Sequence, residues 1–442
     1  MGVQENGNGL VGGKNKYKRM ESDVLEEDTV LSSNHQDQEG VYVEKRDTRI
    51  YLLACAIFAS LNSVLLGYDV GVMSGAILFI KEDLKISEVQ EEVLVGILSI
   101  VSLLGSLAGG KMSDAIGRKW TIAFATLVFQ SGAAIMTLAP SFTVLMSGRI
   151  LAGVGIGFGV MIAPVYIAEI SPSAVRGSLT SFPEIFINLG ILLGYISNYA
   201  FSGLPVHINW RVMLGIGILP SIFMGVALFV IPESPRWLLA ADLANSEKHE
   251  AKAVWQELLK PSPAVRKMLI TGCGTQCFQQ ITGIDATVYY SPTIFKDAGI
   301  KSETHLLAAT VAVGFTKTIF YLNSHISHRQ RIGPVCWVLS SEIFPQRLRA
   351  QASALGAVGS RVSSGAVSMS FLSVSAAITV GGTFFVFSVI SALSVAFVHT
   401  CVPETKGKSL EQIEMMFQNG GELQSGEVEL GDVEVQRLVQ KE

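Results

Sequence analysis

Charged side chains are scarce in this chain. They make up 16% of its 442 residues, against roughly 25% in soluble proteins. Too little polar surface is therefore present to cover several water-facing domains. An excess of positive charge is also lacking, since the formal net charge is −4 and the isoelectric point is about 6.0. This balance argues against a nucleic-acid partner.

Cysteines and catalytic groupings are few as well. The five cysteines all lie in apolar stretches and imply no disulfide framework. His325 and His328 have no third ligand in view, so we predict no metal site. We find no nucleophile–base set and no phosphate-binding loop, and the glycines from Gly153 to Gly159 lie inside an apolar run, where small residues allow helices to approach. An enzyme is not predicted.

Apolar residues are abundant instead. They form 49% of the chain, the mean hydropathy is +0.43, and 43 residues are glycine. A hydrocarbon core about 30 Å thick needs roughly 20 apolar residues per crossing helix. The sequence predicts an all-α membrane protein with spans near 50–68, 93–113, 120–140, 144–168, 181–202, 209–231, 268–292, 349–374 and 381–402.

The region 305–344 is a poor candidate for a complete span. Its two ends are apolar, but its middle, from Asn323 to Arg331, carries two histidines and two arginines. Unpaired polar groups cost several kcal/mol in hydrocarbon. We therefore expect this middle part to lie outside the membrane core.

Lysine and arginine in the short loops predict the orientation. They concentrate after spans 2, 4 and 6, so both termini should be cytoplasmic. The predicted organisation is a disordered N-terminal tail (1–47), a six-helix half (48–231), a cytoplasmic connector (232–266), an incomplete second half (267–402) and a C-terminal tail (403–442).

The two halves share an internal repeat. Glu169 precedes Arg176 by seven residues, and Glu342 precedes Arg349 by the same spacing. Parallel repeats of this kind are typical of transporters, whose substrate site lies between them near the middle of the membrane. The second half is shorter by 47 residues, about two helices and a loop, and the shortfall falls in 305–344. About ten spans are therefore expected instead of twelve.

The presence of ionisable residues inside the predicted spans requires a structural or functional explanation. They tend to face the interior of a bundle and to mark an ion or substrate path. They are Asp69, Arg149, Glu184, Asp285, Lys317 and Arg361. Asp69 and Arg149 have opposite signs, and a carboxylate that exchanges an arginine for a proton would couple transport to protons. The alternatives are an ion pair that only locks two helices, or end-of-span side chains that reach into water.

Polar and aromatic residues also cluster on the seventh span. They are Gln279, Gln280, Thr282, Asp285, Tyr289 and Tyr290. Amides and carboxylates beside aromatic rings suit a polyhydroxylated ligand, because they supply donors and acceptors while the ring covers a C–H face. Hydrogen bonds that only hold the helices together remain the alternative.

Several motifs together resemble the sugar porter family of the major facilitator superfamily, particularly its plant polyol and monosaccharide transporters. In the first half they are Gly67–Gly75, Gly110–Lys119, Gly148-Arg149, Pro164–Glu169 with Arg176-Gly177, and Pro232–Leu238. In the second half they are Gln279–Asp285, Tyr289-Tyr290, Gly333–Trp337, Ser341–Pro345 and Pro403-Glu404.

The resemblance implies two six-helix halves, alternating access and proton-driven uptake. It assigns proton coupling to Asp69 with Arg149. Ligand contacts are implied for Glu184, Gln279, Gln280, Asp285, Tyr289, Tyr290 and Trp337. Cytoplasmic charge latches are implied for Asp114, Arg118, Glu169, Arg176, Glu233, Arg236, Glu342, Arg349 and Glu404.

The resemblance also shows where this chain departs from the family. Glu184 and Asp285 replace the amides of hexose porters, and both changes resemble the polyol branch. The end of helix 8, all of helix 9 and the start of helix 10 are missing.

The leading hypothesis is therefore a proton-coupled symporter of polyols or monosaccharides, in the plasma membrane, with no cofactor and with a proton gradient as its driving force. Its expected partners are the ligand, the proton and the lipid bilayer. The alternative is a non-transporting binding, regulatory or non-functional truncated product.

Overall fold

The computed structural model describes residues 38–171, 178–234, 237–238, 261–326, 343–344, 348–403 and 416–417. The chain is helical throughout the longer of these ranges. The first seven helices are α1 (Gln38–Leu84), α2 (Glu88–Ile116), α3 (Arg118–Thr137), α4 (Phe142–Ile170), α5 (Phe182–Phe201), α6 (Val206–Ile216) and α7 (Ile218–Val230). The remaining five are α8 (Pro263–Ile281), α9 (Ile284–Tyr289), α10 (Ser291–Asp297), α11 (Glu303–Ile326) and α12 (Arg349–Cys401).

Eight helices in the described part of the chain are long and apolar enough to cross a membrane. The last, α12, has 53 residues and would measure about 80 Å if it were straight, more than twice a hydrocarbon core. It is interrupted at Thr379, whose φ is 69° and ψ 161°, in the gap predicted between the last two spans. With α6–α7 and α8–α10 each counted as one crossing and α12 as two, the described residues make ten crossings, as predicted.

The first helix is longer than predicted. It begins at Gln38, inside the predicted tail 1–47, and it does not end at residue 68 but continues to Leu84. Asp69 therefore lies within a helix instead of at its end. The helix continues because the polar groups there are satisfied inside the protein: Asp69 pairs with Arg149, and the Ser74 hydroxyl donates to the Gly71 carbonyl.

Two other predicted spans are broken. The sixth span consists of α6 and α7, which meet at Gly217. The seventh is divided at Gly283, whose φ of +81° is a left-handed conformation that favours glycine. Helix α11 contains the apolar start of the region 305–344. It extends through Ile326 into the polar stretch that was expected outside the membrane core. The rest of that stretch, and most of the predicted connector 232–266, lie outside the described residues.

Glycines set the distance between helices in the first half. At the α1–α5 crossing, a Cβ atom on Gly67 would lie 2.0 Å from the Ile187 carbonyl oxygen, and one on Gly190 would lie 2.4 Å from the Val64 carbonyl oxygen. Gly157 of α4 would meet the Ser102 carbonyl oxygen of α2 at 2.1 Å. These glycines pack helices together, as the sequence predicted for the run in α4.

The two halves differ in how far their helices are enclosed. In the most apolar 18-residue window of each helix, the buried share is 94% in α1, 67% in α4, 56% in α2 and 39–44% in α3, α5 and α6–α7, but 22% in α11 and none in α12. A helix whose neighbours are absent keeps its apolar side chains exposed. The exposure of α11 and α12 therefore fits a second half that lacks about two helices.

We expect Gly190→Ala to destabilise the protein. The added methyl group would clash with the α1 backbone, and overpacking of this kind costs about 1–3 kcal/mol. The melting temperature of the purified chain in detergent should fall by several degrees. Gly225→Ala in α7 is the control, because a Cβ atom there meets nothing within 4 Å. An equal response of the two variants would contradict the packing role of Gly190.

Candidate functional site

The central feature is an ion pair between α1 and α4. Arg149 Nη1 donates to Asp69 Oδ2 at 2.6 Å, and the two residues are 0% and 2% exposed. Arg149 Nε also donates to the Leu94 carbonyl of α2 at 3.1 Å. A charge buried in a low-dielectric interior is tolerated only when it is paired and hydrogen-bonded. The pair therefore ties three helices of the first half together.

This burial excludes one of the three interpretations of Asp69 and Arg149. Neither side chain reaches into water from the end of a span, because both lie inside their helices and are enclosed by protein. A locking ion pair and a proton-exchanging carboxylate both remain compatible with the contact. Arg149 Nη2 is buried and has no hydrogen-bond partner among the described residues.

Tyr289 connects this pair to the seventh span. Its side chain is 2% exposed and lies within electrostatic range of Asp69, Arg149, Asp285 and Arg361. The structure thus brings Asp69 and Arg149 into one neighbourhood with the predicted ligand residues. Tyr290 points elsewhere: its hydroxyl donates to the Ser368 carbonyl of α12 at 3.0 Å, and its ring stacks on Phe371.

The break at Gly283 determines how the polar residues of the seventh span are presented. Gln279 and Gln280 lie in the last turn of α8, and Asp285 lies in the first turn of α9. Within the described ranges, the Gln280 side-chain oxygen is buried without a hydrogen-bond partner. Asp285 Oδ2 accepts a hydrogen bond from the Ser364 hydroxyl of α12 at 2.5 Å. Amide and carboxylate groups are therefore held close to the junction of the two halves.

Glu184 and Lys317 extend this polar region. Glu184 lies in the first turn of α5 and lines a small pocket with Ser63, Val160 and Ile187. Lys317 of α11 interacts electrostatically with both Glu184 and Asp285. Helix α11 is connected to α5 by Thr318, whose hydroxyl donates to the Asn188 carbonyl at 3.3 Å. Lys317 was not predicted as a site residue, although its position as a charge within a span was the signal that could have indicated it.

A second charge cluster lies at the other end of α2. The Arg118 guanidinium donates to Glu169 at 2.9–3.2 Å and to Asp114 at 3.0 Å. Glu233 accepts from the backbone N–H groups of Arg118 and Lys119 at 2.8 and 3.1 Å. We call these four residues, Asp114, Arg118, Glu169 and Glu233, the latch cluster. They link α2, α3, α4 and the segment after α7.

The remaining predicted site residues are not placed by the structure. Those outside the described residues are Trp337, Arg176, Arg236, Glu342 and Glu404, together with the side chain of Arg349. The second copy of the predicted latch therefore stays a prediction.

The ion pair generates a stability prediction. Asp69→Asn leaves the Arg149 charge buried without its partner, which typically costs about 3–5 kcal/mol. The melting temperature in detergent should fall substantially and recover in part when Arg149→Met is added. Asp83→Asn is a matched control, because the Asp83–Arg211 pair at 3.1 Å is partly exposed and should matter less. Equal losses in the two single variants would contradict the role given to burial.

Comparison with known proteins agrees with this architecture. The sequence profile of the family described as "Sugar (and other) transporter" matches residues 55–247, 240–331 and 327–417. "Probable polyol transporter 4" of Arabidopsis thaliana is 60% identical over 511 aligned positions, covering 97% of this chain and 95% of that protein. "Polyol transporter 5" of the same plant is 42% identical, covering 83% of this chain and 86% of that protein.

Solved structures show the same fold. A "D-xylose-proton symporter" is 26% identical with a TM-score of 0.64, covering 81% of this chain and all of that one. The proton:xylose symporter XylE bound to 6-bromo-6-deoxy-D-glucose is 24% identical with a TM-score of 0.70, covering 84% of this chain and all of that one.

The alignment lengths show that the chain is shorter than its relatives. Against polyol transporter 4, 511 aligned positions for a chain of 442 residues leave at least 69 positions without a residue here. The family profile matches in three segments, which overlap at 240–247, in the predicted connector, and at 327–331, within the region of the predicted shortfall. The chain belongs to the sugar porter family of the major facilitator superfamily and stands close to the plant polyol transporters.

Proposed function

We propose that this chain moves linear polyols or monosaccharides across a membrane together with protons, by alternating access between its two halves. The observation that carries the proposal is the buried Asp69–Arg149 pair, which lies within electrostatic range of Tyr289 together with Asp285. This proximity supports the proposal, which needs a carboxylate for the proton close to groups that bind the ligand's hydroxyls. The names of the similar proteins, polyol transporters and proton:xylose symporters, support the substrate class and the coupling ion.

Proton coupling follows from competition for one carboxylate. A proton on Asp69 removes the charge that holds the Arg149 guanidinium, and the contact between α1 and α4 loosens. Arg149 keeps its bond to the Leu94 carbonyl in that state, and its Nη2 group is available to another acceptor. Protonation thus changes which helices the arginine holds, which is the kind of two-state element that alternating access requires.

Ligand binding is assigned to the polar groups around the break at Gly283. A hydroxyl group both donates and accepts, so it can donate to Asp285 or Glu184 and accept from the amides of Gln279 and Gln280. Tyr289 lies beside these groups, and its ring can cover a C–H face of the ligand. Two carboxylates in place of amides add acceptors, which suits a ligand in which every carbon carries a hydroxyl group.

The latch cluster is proposed as a cytoplasmic latch that stabilises one state of the cycle. If both termini are cytoplasmic, Gly117, between α2 and α3, and residues 231–234 lie on the cytoplasmic side of the membrane. The proposed location of the protein is the plasma membrane. Arg118 forms paired hydrogen bonds with Glu169, a geometry that lysine cannot reproduce.

A second candidate is a binding or regulatory product that does not transport. It is favoured by the exposure of α11 and α12, whose most apolar windows are less buried among the described residues than those of the first half. Rocking of two halves requires each to move as a unit. A second half without about two helices can retain Asp285 and its neighbours while losing that rigidity.

Uptake into proteoliposomes tests the proposal. With an inward proton gradient, the purified chain should accumulate labelled sorbitol or glucose above the external concentration. Asp69→Asn should abolish accumulation but retain exchange of labelled for unlabelled ligand, because exchange needs no net proton movement. Asp297→Asn, which replaces an exposed carboxylate on α10, should accumulate ligand as the unmodified chain does.

Other outcomes separate the candidates. Binding of sorbitol by the purified chain without uptake would reject transport and favour the second candidate. Absence of both binding and uptake would reject both. Accumulation that persists in Asp69→Asn would support transport but contradict the role of Asp69 in proton coupling.

A further inference from the structure

The two halves meet along a continuous seam between α2 and α12. Glu92 of α2 is 6% exposed, and its carboxylate accepts from Ser373 of α12. The Ser373 backbone N–H donates to Oε1 at 2.8 Å, and the Ser373 hydroxyl lies 2.8 Å from Oε2 and 3.0 Å from Oε1. Hydrogen bonds to a charged acceptor are stronger than neutral ones. This contact therefore holds the outer end of the seam.

Deeper in the membrane the two backbones approach each other closely. Gly96 lies one turn after Glu92, and a Cβ atom there would be 2.2 Å from Met369 Cγ and 3.2 Å from the Gly365 carbonyl oxygen. Residues three and four apart share one face of a helix. Glu92, Gly96 and Ser99 are spaced in this way, so one face of α2 follows α12 over two turns.

The inner end of the seam is a chain of hydroxyl groups. Ser99 Oγ and Ser364 Oγ are 3.2 Å apart, and Ser364 Oγ is 2.5 Å from Asp285 Oδ2. A serine hydroxyl has a single proton to donate, and an ionised carboxylate only accepts. Ser364 therefore donates to Asp285, and Ser99 donates to Ser364. The first half is thus connected through α12 to a proposed ligand residue on α9.

The seam and the latch cluster lie towards opposite ends of α2. The latch cluster lies at the C-terminal end of α2 and the Glu92–Ser373 contact near its N-terminal end, so the seam closes the side opposite the latch cluster. A ligand hydroxyl that binds Asp285 Oδ2 in the place of the Ser364 hydroxyl displaces Ser364 from that oxygen. When Ser364 loses its bond to Asp285, its hydroxyl is no longer held in the orientation that accepts the hydrogen bond from Ser99.

We propose that Ser364 is a positioning residue that couples ligand binding at Asp285 to separation of α2 from α12. In the ligand-free state it orients the Asp285 carboxylate and completes the seam. Ligand binding at Asp285 releases Ser364 and weakens the seam. The ligand-dependent part of this inference rests on the proposed function, whereas the contribution of Ser364 to the seam does not.

Distance measurements across the seam test the coupling. Spin labels would be attached at Val89→Cys and Val374→Cys, both exposed near the outer end, in a full chain whose native cysteines are replaced by serine. Sorbitol should increase the fraction of long label distances in the otherwise unmodified chain. Ser364→Ala should raise that fraction about fivefold without ligand, as expected for one lost hydrogen bond, and sorbitol should raise it no further.

Matched variants distinguish coupling from general loosening. Ser373→Ala should raise the long-distance fraction but keep the response to sorbitol, because Ser373 does not contact Asp285. Ser370→Ala, whose hydroxyl bonds only within α12, should behave as the unmodified chain. Ser364→Thr retains a hydroxyl and should restore the response.

Two results would overturn the proposal. One is a ligand-free distance distribution in Ser364→Ala that equals that of Ser370→Ala. The other is a normal response of Ser364→Ala to sorbitol. Sorbitol binding, measured in parallel by equilibrium dialysis, separates the two proposals: an unmodified chain that binds no sorbitol refutes the proposed function and the ligand coupling, while the ligand-free comparison still decides whether Ser364 holds the seam.

Discussion

A buried charge that must have a partner is the constraint on which this structure depends. Hydrocarbon offers no water to Asp69 or Arg149, so each can lie inside its helix only because the other is 2.6 Å away. That contact determines how α1 and α4 face each other. It also explains why α1 continues through Asp69 instead of ending there.

The close approach of the helices makes such a pair possible. Gly67 and Gly190 remove the side chains that would separate α1 from α5, and Gly157 does the same between α4 and α2. The helices of the first half therefore pack closely enough for Asp69 and Arg149 to pair inside it. The second half contributes Asp285, Tyr289 and Lys317 to the same region, but α11 and α12 remain largely exposed. This asymmetry is the physical basis for considering a binding product beside a transporter.

Much of the fold follows from local patterns. Runs of about 20 apolar residues predicted the number of crossings, but they did not predict the break of the seventh span at Gly283, where the structure has a left-handed residue. The end of α1 was predicted wrongly because a carboxylate normally terminates an apolar run. Only a partner 80 residues away reverses that rule. The charge of Lys317 within a span was visible in the sequence, but its interaction with Glu184 and Asp285 was not. That interaction and the bond from Ser364 to Asp285 connect helices that are distant along the chain, so no local pattern indicates them.

The amino-acid sequence alone determines that this protein lies in a membrane, that its halves repeat, and that the second half is short. These properties depend on hydrophobicity, spacing and length, which can be counted along a chain. The tertiary structure alone decides which charges neutralise one another and which serine holds Asp285. Electrostatic and hydrogen-bond energies depend on distances of a few ångströms between separate helices, and those distances exist only after the helices have packed.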